Sequence, residues 1–248
     1  MHGINKNYIV GDFHCHTLAS KHAYSTLREN IEAAKKKNLK LLGITDHAIG
    51  TMDSPPLSHF ENLTSLPVYA EGMLLLRGVE ANIMDHKGKL DMPESVLDEL
   101  DFVISSYHTS CTTPGTIDEH TYSYLRIAEN PYVNLIGHSG SAEFEYDYAK
   151  VIPEFGKNKK VVEINAHTFI CRKKSIQNCK KIAELCAENQ VPIMVNSDAH
   201  SEFEVGEVSR AFEMLEEIHF PEELIINTDM QRMLEYLKSI GIQRPSTI

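Results

Sequence analysis

A chain of 248 residues with 42% hydrophobic content can bury one large core, since α/β barrels routinely reach roughly 200 to 250 residues as a single unit, and its make-up excludes a disordered protein. The formal charge of −11 disfavours the basic face that nucleic acid or an anionic membrane requires, and no run nears the roughly 18 apolar residues of a membrane span. Five scattered cysteines (Cys15, Cys111, Cys171, Cys179 and Cys186) form neither a CxxC pair nor a disulfide framework, and the opening MHGINKNYIVGD lacks the apolar stretch of a secretion signal, so a reducing cytoplasm is expected.

In chain order, seven short apolar runs stand out: NYIVGDF, LKLLGIT, MLLLRGVEA, DFVISSY, YVNLIGH, KVVEINA and VPIMVNS. Segments of helical period lie between them. A helix is expected to start near Ser25; Ile176, Cys179, Ile182, Ala183 and Cys186 form one stripe, and Val208, Ala211, Phe212, Leu215 and Ile218 another. Met230, Met233, Leu234, Leu237 and Ile240 mark a last helix after the weaker run ELIIN. This alternation is the pattern of βα units around a parallel sheet, either closed as a barrel or open and doubly wound. No linker interrupts it, so residues 1–248 read as one domain.

In a barrel of this kind chemistry sits at the C-terminal ends of the strands. After the first run come His14 and His16, after the second Asp46 and His47, and at the end of the third Glu80. His108 follows the fourth, His138 the fifth, and Asp198 with His200 the seventh. Residues i and i+2 of an extended segment point to one side, so His14 and His16 can share a metal while Cys15 faces away, and Asp198 pairs with His200. His22, on the loop into the first helix, can fold back over the mouth. A lone strand-end histidine is usually capped or solvated, which is the reading for His2, His59, His86, His120 and His219. Six strand ends delivering metal-capable groups to one face are not explained that way.

The motifs DFHCHT, ITDH, RGVEAN, SSYH, IGHSG and NSDAH resemble those of the PHP (polymerase and histidinol phosphatase) domains. SKHAYSTL with RGVEAN is particularly similar to the YcdX-type subfamily of small stand-alone PHP phosphatases. The resemblance spans about residues 8 to 240. It implies an α/β fold, a distorted (β/α)7 TIM-like barrel of parallel strands with outer helices, holding three divalent metals at its mouth. His14, His16, Glu80 and Asp198 would hold one ion; Glu80 would bridge to a second held by His108 and His138; His22, His47 and His200 would hold the third. Ser139 after the fifth-motif histidine, where proline is more usual, bears on loop stiffness more than on ligation.

Seven imidazoles and two carboxylates suit zinc, manganese or iron(II) better than calcium or magnesium, with zinc or manganese favoured. Three divalent ions and two carboxylates leave about four positive charges, a pocket for a small phosphorylated substrate. The expected reaction is hydrolysis of a phosphomonoester by a metal-bridging hydroxide, with Asp198 orienting the water and His22 or His200 as candidate proton donors. Arg172 and Ser175 in CRKKS are candidate phosphate contacts, His167 a candidate substrate contact, and Asp46 a residue that fixes a histidine tautomer. Arg77, three residues before Glu80, should point the other way and serve structure. Alternatives are a phosphodiesterase or exonuclease of the same family type, or a metal-binding module without catalysis; oligomerisation is open.

Overall fold

All seven apolar runs form parallel strands, because a strand without a polar face is stable only with both sides covered, one by the barrel interior and one by helices. The computed structural model describes residues 9–242, so His2 and the start of the first run lie outside them. The strands are β1 (Gly11–Asp12), β2 (Leu41–Ile44), β3 (Tyr69–Ala70), β4 (Met73–Asn82), β5 (Phe102–Ser106), β6 (Leu135–Ile136), β7 (Val161–Asn165) and β8 (Ile193–Asn196). The short β3 pairs antiparallel with β4 and was not expected from the sequence. The other seven are ordered β1-β2-β4-β5-β6-β7-β8, a sheet nearly closed as a distorted TIM-like barrel with helices outside. β4 is the long member: its first half pairs with β2 and its second with β5.

The expected helices form at Leu27–Lys36, Ile176–Glu188, Ser209–Glu217 and Met230–Ser239. Thr26 and Glu29 cap the first of these reciprocally, satisfying two otherwise orphaned backbone donors. Among the described residues, no helix is long and apolar enough to cross a membrane.

Period-two alternation sorts side chains into two layers. Leu42, Leu75, Val79, Val103, Val162 and Val195 join the buried layer beneath the helices. Leu41, Leu74, Phe102, Leu135, Val161 and Met194 fill the interior, where Met233 and Leu237 of the last helix join them. Toward the C-terminal ends the same inward positions turn polar: Glu80 and Asn82 on β4, Glu163 and Asn165 on β7, Asn196 on β8, all buried. Arg77 points outward as expected and forms a forked pair with Asp101, at 2.8 and 3.0 Å.

The barrel is closed between β8 and β1 by a side chain. ELIIN folds into two short 3-10 turns, Glu222–Leu224 and Ile226–Thr228, and presents Asn227 to both edges. Its carboxamide accepts Val195 N–H at 3.0 Å and donates to Val195 O at 2.7 Å and Gly11 O at 3.0 Å, while its backbone carbonyl accepts Val10 N–H at 2.8 Å. Farther along, His16 N–H reaches Ala199 O at 2.9 Å, so the two ligand-bearing loops are tied directly. Asn227→Ala leaves three buried backbone groups unpaired. At about 1–3 kcal/mol for each such group, partly relieved by relaxation, it should cost about 3 kcal/mol in urea unfolding. A cost under 0.5 kcal/mol would refute the closure role.

Candidate metal centre

Glu80 sits at the hub. It is fully buried, yet its carboxylate meets four imidazoles from four other strand ends: His138 Nε2 at 2.8 Å, His14 Nε2 at 3.3 Å, His108 Nε2 at 3.4 Å and His47 Nδ1 at 2.7 Å. Asp198 is the second hub, with His16 Nε2 at 3.2 Å and His14 Nε2 at 3.4 Å from its Oδ1. His22 Nε2 and His200 Nε2 face each other at 3.1 Å. All nine expected residues thus meet at one mouth. A cavity of about 330 Å3 there is lined by His22, His47, His108, His167, Arg172, Asp198 and His200.

Several contacts have the wrong geometry for hydrogen bonds and the right geometry for shared metals. His14 Nε2, His47 Nδ1 and Glu80 Oε2 are buried and have no hydrogen-bond partner, although the last two lie only 2.7 Å apart. Unpaired lone pairs in a dry interior cost about 1–3 kcal/mol each, so their convergence needs a cation. Ligands about 2.1 Å from one tetrahedral ion lie roughly 3.4 Å apart, the scale of the contacts around Asp198 and between His22 and His200. Potential ligand atoms gather in three sets: His14, His16 and Asp198; His47, Glu80 and His108; and His16, His47 and His200. The donors fit divalent transition metals, and no thiolate competes: Cys15 is buried on the other face near Ser197.

A ring of polar groups orients these donors. Glu163 Oε1 accepts His14 Nδ1–H at 2.8 Å, which directs Nε2 toward Glu80 and Asp198. The remaining valences of Glu163 are satisfied by His138 N–H at 2.9 Å, Asn165 Nδ2 at 3.0 Å and Asn196 Nδ2 at 3.0 Å. His108 Nδ1 donates to Asn82 Oδ1 at 2.7 Å, and His200 Nδ1 to the Asp198 carbonyl at 2.9 Å. Asp198 and His138 both adopt left-handed backbone, with φ of 59° and 26°. Asp tolerates that region; for His138 it is strain held at the site by the surrounding bonds.

Electrostatics divide the histidines. Burial, reinforced by His47, pushes His16 down to about 3, and burial with the Arg172 guanidinium pushes His138 down to about 4. For His14 burial is outweighed by the carboxylates of Glu163, Asp198 and Glu80, which lift it well above its ordinary value. His47 is raised in the same way, against burial, by Glu80. Burial would raise Glu80 and Asp198, but the facing imidazoles hold both well below the usual carboxylate range.

The metal-stripped protein should therefore lose thermal stability as pH falls from the ordinary histidine value of 6.5 toward about 4. Over that window the unfolded chain protonates His16 and His138 while the folded chain does not, so acid favours unfolding. His14 and His47 carry protons in both states there and contribute no slope. Melting temperatures at pH 7, 5.5 and 4.5 check this, and a rise toward acid would contradict it.

Of the other expected residues, Arg172 reaches the centre, with Nη2 on Asp198 Oδ2 at 2.7 Å and a buried Nε that has no partner. His167 lines the cavity with its ring 5.8 Å from that of His200. Ser175 is not brought there: its hydroxyl is buried and accepts Ala142 N–H at 3.1 Å. Asp46 acts on the ligands at one remove. It accepts the Ser20 hydroxyl at 2.7 Å and the Thr17 hydroxyl at 2.8 Å, and Ser20 Oγ in turn contacts His16 Nδ1 at 3.3 Å and accepts His47 N–H at 3.0 Å. His120, expected capped or solvated, is buried and fully used, accepting Gly115 N–H and donating to Glu145 O, both at 2.8 Å. Glu163, Asn82 and Ser20 are missing from the sequence reading. The available signal for Glu163 was an acid inside an apolar strand, two residues before Asn165 and therefore on its face.

Comparison with known proteins places this architecture. The PHP domain family model matches residues 12–167. A protein of Acetivibrio thermocellus named "Probable phosphatase" is 43% identical over 229 residues, covering 92% of this chain and 95% of its own. One of the same name from Clostridium botulinum strain Okra is 42% identical over 234 residues, covering 94% and 96%. Among solved structures, histidinol phosphate phosphatase of Lactococcus lactis, complexed with zinc, L-histidinol and phosphate, superposes with a TM-score of 0.58 over 94% of each chain. At 14% identity that likeness speaks for the fold alone.

Proposed function

Since this chain belongs to the PHP domain family and is a metal-dependent phosphatase, we propose that it hydrolyses a small phosphomonoester at a cluster of three divalent ions, zinc or manganese with iron(II) as the alternative. The observation that carries this is the convergence of buried, unpartnered lone pairs on His14, His47 and Glu80 at the mouth. His14, His16, Glu80 and Asp198 would hold one ion, Glu80 with His108 and His138 a second, and His22, His47 and His200 a third. Ions bound there supply charge neutralisation at phosphoryl oxygens and a water whose pKa falls from 15.7 toward about 7.

The chain's own groups do the rest. Arg172 holds Asp198 with one nitrogen and keeps Nε, its unpartnered buried donor, for a phosphate oxygen. Asp198, pinned by Arg172 and by Asn165 Nδ2 at 3.1 Å, orients the attacking water. His22 is the exposed member of the set, its side chain 45% accessible, and faces His200; the leaving group departs past this pair, and His22 would deliver its proton only when released from the ion. His167 contacts the substrate from the cavity wall. The overall acidity of the chain does not oppose an anionic substrate, because fields from distant surface charges are screened within roughly 8 Å.

Turnover of p-nitrophenyl phosphate should vanish on chelation and return with Zn2+ or Mn2+. A mononucleotide should be hydrolysed faster than a short oligonucleotide. Activity that survives exhaustive chelation, or a preference for the oligonucleotide, overturns the proposal.

A further inference from the structure

Three of the most exposed apolar side chains among the described residues belong to loops at one end of the barrel. Tyr24 and Phe203 are each 79% accessible and Met52 is 93% accessible, and all three lie on loops that follow strands at the metal-bearing end. Tyr24 belongs to the loop after β1, Met52 to the loop after β2 and Phe203 to the loop after β8. Loops that merely connect elements have no need of large aromatic side chains held in water.

These loops are fastened to the candidate ligands and to one another. Tyr24 N–H donates to the His200 carbonyl at 2.7 Å. Next along, the Ser25 hydroxyl bonds the Glu202 carboxylate and accepts Glu202 N–H at 2.7 Å, and Phe203 follows immediately. Glu204 then accepts His200 N–H at 2.9 Å. On the other side, Lys21 N–H donates to Asp53 O at 2.9 Å, and Asp53 faces His22 Nδ1 at 3.8 Å, which ties the loop carrying Met52 to His22. The loops that carry Tyr24, Met52 and Phe203 are thus fastened to those of His22 and His200. The loop after β7 has the opposite character: Arg172, Lys173 and Lys174 line a neighbouring cavity of about 410 Å3.

The geometry points to a specificity device: Tyr24 and Phe203 stack against a flat aromatic leaving group, aryl or heteroaryl, while its phosphate lies on the metals and Arg172. This deepens the phosphatase reading and rests on it. A flat π-system is the chemistry that two solvent-exposed rings recognise by offset or edge contact, with Met52 as an adaptable third wall. A second copy of the chain is the poorer occupant, because bringing two chains of charge −11 together works against their mutual repulsion.

The test is calorimetric titration of the metal-loaded, full-length protein with phenylphosphonate and with methylphosphonate, which share the phosphate-like end and cannot be hydrolysed. Phenylphosphonate should bind at least about tenfold more tightly, as expected for one ring stacked by aromatic side chains. The double variant Tyr24→Ser/Phe203→Ser should bring that ratio to about twofold or less, while Tyr122→Ser, which removes an exposed ring from the helix Ile117–Glu129, should leave it intact. Metal content and melting temperature equal to those of the parent certify the variants as folded. A parent ratio near one, a ratio that survives the double substitution, or a dimer in sedimentation that the double substitution dissolves would each overturn the assignment. Failure of both phosphonates to bind, with no phosphomonoester turned over, would instead bring down the phosphatase reading beneath it.

Discussion

Glu80→Ala should abolish metal loading and turnover together. The carboxylate lies within 3.4 Å of His14, His47, His108 and His138, so removing it leaves four imidazoles with no anion among them. Removing one partner from a buried charged set costs about 3–5 kcal/mol, or about a thousandfold in affinity at 1.4 kcal/mol per decade. The expected result is loss of roughly a thousandfold in metal affinity, measured by competition with a chromophoric chelator, and a fall of at least the same order in kcat/KM. Glu80→Gln keeps the volume and separates charge from packing; it should retain the circular dichroism of the parent and still lose the metals. Retention of the parent's metal content in the Gln variant would contradict the role assigned to Glu80.

Glu163→Gln should weaken metal binding about 10- to 100-fold without touching a ligand directly. All four acceptor valences of Glu163 are filled by donors: His14 Nδ1, His138 N–H and the amides of Asn165 and Asn196. An amide NH2 in place of one oxygen sets donor against donor, and the cheapest relief is to release His14 Nδ1. His14 then loses its fixed tautomer, and Nε2 no longer stands unprotonated toward Glu80 and Asp198. The distinguishing readout is the nitrogen NMR signature of His14 at saturating zinc, where the parent should show a proton on Nδ1 alone and the variant a mixture. A purely structural role would lower the melting temperature and leave that signature unchanged. Glu163→Asp, which keeps the charge, should recover part of the affinity.

The parts of this molecule that were legible in its sequence are those where a change of residue type coincides with a change of structure. Each apolar run becomes a strand, and each polar residue just beyond a run, from His14 to His200, stands at the mouth. The helical stripes at 176–186, 208–218 and 230–240 were equally clear, because their period differs from that of strands. Glu163 was not legible for a physical reason. Strands buried on both faces carry no hydrophobic phase, so the apolar residues of KVVEINA do not say which side faces the interior, and the face shared by Glu163 and Asn165 is the one signal left. The closure by Asn227 lies still further from pattern, since side chains (Asn227, with Asn196 and Asp12 beside it) stand where a ladder of backbone bonds would be expected. Ser175 reads as a helix start in the sequence, and the helix Ile176–Glu188 does follow it, but the hydroxyl is spent on Ala142 rather than on the cavity.

Anomalous diffraction from crystals of the loaded protein, collected on either side of the zinc or manganese absorption edge, addresses the metal centre itself. Three peaks are expected at the mouth, each within about 2.3 Å of nitrogen or oxygen atoms drawn from His14, His16, His22, His47, Glu80, His108, His138, Asp198 and His200. Peaks only at other histidines such as His86 or His219, or a mouth free of anomalous signal at saturating metal, would contradict the account.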